Sequence, residues 1–367
     1  MPDSPAFVFP KHEDDLTPEL LTHVLSQDRP GLVVEGLSIV DAARAASGRA
    51  STADRLVLDL DYAAGTAPAD LPRRVVLKTM LDVPHAPAVM YETEVRFYRE
   101  IRPDVPFEAP VFFGALFDRE SGHFGILLED LRERGGVFAN VTMDISLDQI
   151  RQLVGDLAAL HARHWQSPTL DRDFGWMATP GGGGMETFWG HTLPQIEQHM
   201  EDEPWRHDLI APLGRDMAGL HADMMKIAAG PLEAAPRTLL HGDTHLGNTY
   251  VLPDGRMGWL DFQLSHRGCF IRDVTYIITT GLPVDLRRAH ERELLDFYLE
   301  ELARHGVTGV PDREATWTLH RQATFWGLVI GWGCCPIAHY GLEITQENMR
   351  RLSQIMIDLD VLEVVPD

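Results

Sequence analysis

Short apolar runs enclose a dense group of polar side chains in the middle of this chain. The run His241-Gly242-Asp243-Thr244-His245-Leu246-Gly247-Asn248 is followed, eighteen residues after Asp243, by Leu260-Asp261-Phe262-Gln263. Arg237 to Leu240 precedes it, and Tyr250 to Leu252 and Met257 to Leu260 follow, the last two joined by Pro253-Asp254-Gly255. Apolar runs this short, bounded by Gly, Pro and Asp, read as strands joined by a turn. Carboxylates, a carboxamide and two imidazoles then sit at strand ends, where a rigid sheet can aim them. Whatever fold the chain takes must build a small β element around this run.

Elsewhere the hydrophobic period divides the chain. Leu56, Leu58, Leu60 and Tyr62 alternate with Asp59 and Asp61, which predicts a half-buried strand. A stretch rich in Gly, Ala, Pro and Asp leads to Arg73–Lys78, a second strand, so the pair reads as an antiparallel hairpin. From Ala88 to Ile101 the period becomes helical, with Met90, Phe97, Tyr98 and Ile101 on one stripe, and Glu94 on that same stripe. A carboxylate on an apolar face is costly unless a cation or donor meets it. Lys78 is the nearest candidate in sequence, with Arg73 and Arg74 as alternatives. Pro110–Phe117 and His123–Leu128 complete a mainly antiparallel region, and Glu129 to Gly136 forms a connector. Helices are predicted beyond it: Leu147–Trp165, Met185–Met200, Pro212–Ala229, Asp273–Thr280, Arg287–Arg304, Arg313–Gly333 and Thr345–Leu362. No fixed-period repeat occurs. The expected division is residues 1–130, β-rich, and residues 131–367, mainly helical and carrying the polar run.

Asp243, four intervening residues and Asn248 has the spacing of a kinase catalytic loop, in which an Asp accepts a hydroxyl proton and an Asn holds a metal ion. Asp261 before an aromatic residue matches the second metal-holding carboxylate. The segment resembles the aminoglycoside phosphotransferase and choline kinase superfamily, whose loop reads His-Gly-Asp where protein kinases have His-Arg-Asp. Within it, the chain is closest in flavour to the ecdysteroid-kinase-like branch.

The resemblance implies an α+β, protein-kinase-like two-lobed fold, with a β-rich nucleotide-binding N-terminal lobe and a helical C-terminal lobe holding the catalytic loop and acceptor site. It also implies ATP and Mg2+ as cofactors. Asp243 would orient and deprotonate the acceptor hydroxyl. Asn248 and Asp261 would hold magnesium. Lys78 would contact the α- and β-phosphates and Glu94 would pin it. Ser47 and Gly48 fall where a nucleotide loop is expected, although the stretch has one glycine and not three. Glu129 and Leu131 would present backbone groups to the nucleotide base. His241 reads as a loop-bracing histidine and His245 as either a phosphate or metal contact or a packed imidazole. Asp273 resembles the Asp that braces the loop, though a helix N-cap explains it equally. The tryptophans of the helical half read as core, with some available to an acceptor pocket.

Thirty-two basic against fifty-five acidic residues give a net charge of −23, which argues against nucleic acid or an anionic membrane surface as partner. Three cysteines, two adjacent, make neither a zinc pattern nor a disulfide framework and predict a reducing compartment, the cytoplasm. The acidic N-terminus lacks the features of a signal peptide. Ala323 to Ala338 is apolar but broken by glycines and Pro336, and too short to span a bilayer. The expected partner is a small hydroxylated acceptor, either an apolar alcohol of sterol, macrolide or hydroxyacyl type or an aminoglycoside. Neither monomer nor homodimer is favoured by the sequence. A metallophosphoesterase is disfavoured because no Asp-x-His precedes the run and Thr249, not His, follows Asn248. A catalytically silent kinase-like module would ordinarily lack one of Asp243, Asn248, Asp261 or Lys78, and all are present. The short segment after Asp261, without Ala-Pro-Glu, speaks for a small-molecule acceptor over a protein.

Overall fold

The structure, a computed structural model, describes residues 8–44, 52–69, 71–82, 86–180 and 185–367. The chain divides into two compact units, Met1–Asp104 with Ala109–Val137, and Val105–Glu108 with Phe138–Asp367. The architecture is the α+β class expected, with an antiparallel sheet in the first unit and a helix-dominated second.

Five strands build the first unit: β1 (Val34–Ala43), β2 (Asp54–Tyr62), β3 (Arg74–Thr79), β4 (Phe112–Phe117) and β5 (Phe124–Glu129), in the order β1-β2-β3-β5-β4 and antiparallel throughout. The alternation read in β2 is real: Leu56, Leu58 and Leu60 are fully buried, while Asp59 and Asp61 face outward and pair with Arg74 and Arg73. Against this face lies the helix Pro18–Ser26. Thr17 caps it by accepting from the Leu20 N–H, its first residue is Pro, and it buries Leu20, Leu21, Val24 and Leu25 in the same core as β2 and β3. The helix predicted from Ala88 runs as an α-helix to Arg96 and then widens into a π-helical turn, Phe97–Ile101. Arg73 and Arg74 are committed to β2 carboxylates, so neither is the partner of Glu94.

In the second unit the strand Arg237–Leu240 pairs antiparallel with His266–Cys269, and Thr249–Val251 pairs with Met257–Trp259 around the Pro253-Asp254-Gly255 turn. The predicted hairpin is therefore present. The strand before the polar run pairs not with that hairpin but with a strand after it, so both polar segments, 241–248 and 260–265, are spanned between ladders. The helix Ile271–Gly281 is buried at every residue and packs beside Leu147–His164, whose start carries a reciprocal Ser146–Gln149 capping box.

Three predicted helices shift. The helix expected over Pro212–Ala229 starts five residues later, at Met217 on an Asp216 cap, because Pro212 lies in a 3-10 turn, Ala211–Leu213, that ends at Gly214; the helix Trp205–Ile210 before that turn is not among those expected. Arg313–Gly333 is α-helical to Trp326 and π-helical over Gly327–Gly333. The last helix is Leu342–Asp358. Among the described residues no helix is long and apolar enough to cross a membrane.

Candidate active site

Gly242 starts the loop with a backbone no other residue can match. Its φ is +90°, and a Cβ there would lie 1.9 Å from the Leu264 carbonyl oxygen. The tight turn brings successive N–H groups of His241 and Gly242 onto one carboxylate, Asp273, at 2.7 Å and 3.0 Å. The Asp273 carbonyl accepts from the Thr244 hydroxyl at 2.7 Å, and its carboxylate also meets His161 Nε2 at 3.3 Å. Asp273 is the third residue of Ile271–Gly281, whose N-cap position is Phe270 without a side-chain cap, so the N-cap reading is wrong. The side chain braces the loop instead. Burial pushes its carboxyl up, but the hydrogen bond from His161 and the nearby imidazoles outweigh that and hold it below the usual range.

His241 is likewise scaffolding. Its Nδ1 accepts from the Asp243 N–H at 3.3 Å and its Nε2–H donates to the Leu260 carbonyl at 2.9 Å, joining the two polar segments. Burial lowers its pKa, so the imidazole is neutral. Arg272 closes the loop from behind: it donates to His266 Nε2 at 2.9 Å and to the Gly242 carbonyl at 3.3 Å, and its guanidinium lies 3.7 Å from the Trp326 ring centroid.

Asp243, 18% exposed at its side chain, receives the Asn248 Nδ2–H on Oδ2 at 2.9 Å. The same amide also donates to the Asp243 carbonyl at 2.9 Å. His245 Nε2 faces Oδ2 at 3.6 Å. Among the described residues nothing bonds Oδ1. Desolvation first, then the charge of Asp261, pushes the Asp243 carboxyl up to about 7. Asp261 has φ +61° and ψ +72°, a left-handed backbone that an L-residue enters only at a cost of about 1–3 kcal/mol. Such strain accumulates where a side chain must be held in one direction. Leu260 N–H donates to the Asn248 carbonyl at 2.9 Å, which ties the two candidate metal-holding residues together.

The donor chemistry of the site suits magnesium. Two carboxylates repel one another here, a condition a cation relieves. Asn248 spends its NH2 on Asp243 and leaves its oxygen for coordination. Oxygen donors suit a hard ion, and among the described residues no group of three His, Cys, Asp or Glu forms a ready-made cage. One carboxylate and one carboxamide completed by phosphate oxygens is how magnesium is usually held. Both nitrogens of His241 are bonded to backbone, which removes it as a ligand for a metal hydrolase.

In the first unit Lys78 Nζ lies 2.7 Å from Glu94 Oε2, with side-chain exposures of 5% and 1%. This is the partner expected from the stripe position of Glu94. Glu129 ends β5, where its carboxylate accepts from the Val111 N–H at 3.0 Å and from Arg134 at 2.9 Å. Leu131 begins a 3-10 turn, and its carbonyl accepts from the N–H groups of Gly135 and Gly136. Ser47 and Gly48 lie outside the described residues.

Sequence reasoning missed an aromatic group around His245. Tyr276, Trp332 and Tyr340 place ring centroids 5.9, 5.5 and 5.8 Å from its imidazole, and Trp332 and Tyr340 lie 5.1 Å apart. Trp332 closes the π-helix, and the fully buried Arg206 holds that end by donating to the carbonyls of Trp332 and Cys335, each at 2.9 Å. A π-helical turn often marks function, yet nothing in the residue pattern distinguishes it from α-helix. Burial first, and then the charge of Asp243, pushes the thiol of Cys334 up to about 12, so Cys334 stands near the site but is unreactive.

No curated protein matches the chain. Among solved structures it is similar to a type I macrolide 2′-phosphotransferase (15% identity, 96% of this chain and 99% of that one, TM-score 0.45). It is also similar to the GDP complex of wild-type aminoglycoside 2′-phosphotransferase-IIIa (11%, 94% and 99%, TM-score 0.48) and to the choline kinase LicA from Streptococcus pneumoniae (12%, 86% and 95%, TM-score 0.43). Residues 181–307, a span that contains the whole of His241–Gln263 and the brace Asp273, match the model of the Ecdysteroid kinase-like family, the branch whose resemblance the catalytic-loop residues carry.

Proposed function

We propose that this protein is a small-molecule O-phosphotransferase that moves the γ-phosphate of ATP, with Mg2+, onto a hydroxyl of its acceptor. The observation that carries the reading is the arrangement of Asp243: Oδ2 is engaged by Asn248, Oδ1 is left open, and Asp261 stands close enough to raise its pKa. Oδ1 accepts the acceptor's O–H. As the new O–P bond forms and the bond to the ADP oxygen breaks, the proton passes to Asp243. A carboxylate is a weak base for an alcohol, so alignment precedes the proton transfer and most of the gain is positional. Magnesium, when held by Asn248 and Asp261, neutralises phosphate charge. Lys78, kept in place by Glu94, is suited to the α- and β-phosphates, and the backbone near Glu129 and Leu131, with Ser47 and Gly48, to the remainder of the nucleotide.

The acceptor best supported is a fairly apolar alcohol of sterol, macrolide or hydroxyacyl type. The aromatic group at His245 supports it. The net charge of −23 speaks against nucleic acid or an anionic membrane surface as partner, and the three free thiols support a reducing compartment, the cytoplasm.

The test is γ-phosphate transfer from labelled ATP to a panel of sterols, macrolides, hydroxyacyl compounds, aminoglycosides and choline, with Asp243→Asn as control. Magnesium-dependent transfer that Asp243→Asn abolishes is expected. Transfer confined to aminoglycosides would overturn the acceptor class only. Magnesium-ATP binding with no transfer to any member would favour a silent nucleotide-binding module.

A further inference from the structure

His245 and Gly247 belong to the polar run but have no part in the transfer chemistry just described. The structure couples them to each other. The Gly247 N–H donates to His245 Nδ1 at 3.1 Å, which leaves the ring proton on Nε2. A Cβ on Gly247 would lie 2.7 Å from His245 Cε1 and 2.9 Å from Nδ1, so the imidazole can occupy this place only over a glycine. Three aromatic rings, Tyr276, Trp332 and Tyr340, pack around the same imidazole and leave it 4% exposed. With Nδ1 accepting from Gly247, the ring is held as the Nε2–H tautomer, a donor and not a proton shuttle.

So much structure fixes one ring in one tautomer, and the atom it presents is an N–H donor 3.6 Å from Oδ2 of Asp243. That separation is longer than a hydrogen bond, as is common for such contacts before substrate arrives. We propose that His245 is a positioning residue, whose Nε2–H acts with Asn248 Nδ2–H to hold Oδ2 of Asp243 and so reserve Oδ1 for the acceptor hydroxyl. It touches neither acceptor nor nucleotide. A carboxylate held by both donors cannot rotate its reactive oxygen away, which is where an oriented base gains over a free one. The proposal rests on Asp243 being the acceptor base.

Two variants separate positioning from packing. His245→Leu fills the aromatic group without a donor, and His245→Gln offers an amide N–H near the place of Nε2. His245→Leu should lower kcat roughly 10- to 100-fold, the size typical when an orienting partner is removed, with acceptor KM within about twofold. His245→Gln should recover most of the loss. Equal activity of the two variants, or a kcat for His245→Leu like that of wild type, overturns the proposal. A folding-independent readout uses wild-type protein with 15N-labelled histidine: the Nε2–H tautomer should persist from about pH 5 to about pH 8, and its resonance should move in Asp243→Asn. An Nδ1–H tautomer, or a resonance blind to Asp243→Asn, also overturns it. If Asp243→Asn itself transfers phosphate at the wild-type rate, the assignment of Asp243 as the base fails first, and the proposal for His245 with it.

Discussion

At the scale of single residues the site is defined by how two oxygens of one carboxylate are treated. Asp243→Asn keeps the shape and the Oδ1 acceptor but loses the charge and the base, so transfer should fall about 10²- to 10⁴-fold while nucleotide affinity changes little. Transfer measured alongside ATP binding checks this. The same residue has a stability signature in magnesium-free protein. Its folded pKa, about 7, lies above its ordinary 3.8. Between those values the folded state holds a proton that the unfolded state has released, so this group lowers stability as pH rises from about 4 to about 7. Asp243→Asn removes that dependence. Relative to wild type, the variant should therefore be more stable at pH about 8 than at pH about 5. Urea unfolding at the two pH values measures the difference, and a difference that shrinks toward pH 8 contradicts the assignment of the raised pKa.

Among elements, buried charges act as ties between secondary structures. Asp273 fastens Ile271–Gly281 to the loop through two backbone N–H groups, so Asp273→Ala strands two buried donors. About 2–4 kcal/mol of stability should be lost, with activity falling further because Gly242 and Asp243 are no longer aligned. Chemical denaturation and transfer rates report the two effects separately. In the first unit Lys78 ties β3 to the helix Ala88–Arg96 through Glu94. Lys78→Met leaves a buried carboxylate without its cation and should cost about 3–5 kcal/mol. Adding Glu94→Gln should restore much of it, and this non-additivity is the signature of the pair in a double-mutant cycle. The π-helix is a third case. A Cβ on Gly331 would lie 2.3 Å from Tyr276 Oη, so Gly331→Ala should displace Tyr276 from His245, loosen the imidazole and lower kcat with acceptor KM little changed. Steady-state kinetics with the best acceptor measures it.

For the whole molecule, a net charge of −23 on 367 residues means substantial self-repulsion in the folded state. Added monovalent salt screens it, so Tm should rise between about 0.02 M and about 0.2 M sodium chloride, a range over which the screening length falls severalfold. A flat or falling Tm in scanning calorimetry would show that local pairs such as Arg287–Glu291 outweigh the net charge.

Sequence alone determined the parts of this protein that are set by local rules. Alternation in Leu56–Tyr62, the Pro253-Asp254-Gly255 turn and the stripe position of Glu94 follow from periods of two and 3.6 residues, and each stands where it was expected. So does the run from His241 to Asn248, whose polar side chains sit between short strands because they lie in one continuous segment. Strand β1 went unread because an edge strand with mixed burial has no clean alternation. The late start at Met217 went unread because Pro212 suits a first helical turn, whereas it sits in a 3-10 turn that the left-handed Gly214 ends.

Only the tertiary structure decided what depends on distant atoms. Asp273 is a brace and not a cap because the loop thirty residues earlier presents two N–H groups to it. Tyr276, Trp332 and Tyr340 meet His245 because three elements converge on one imidazole, and no spacing in the chain encodes that meeting. Asp243 is the clearest case: its identity was plain in the sequence, but which of its oxygens is held and which is open depends on Asn248 and His245 folding back onto it.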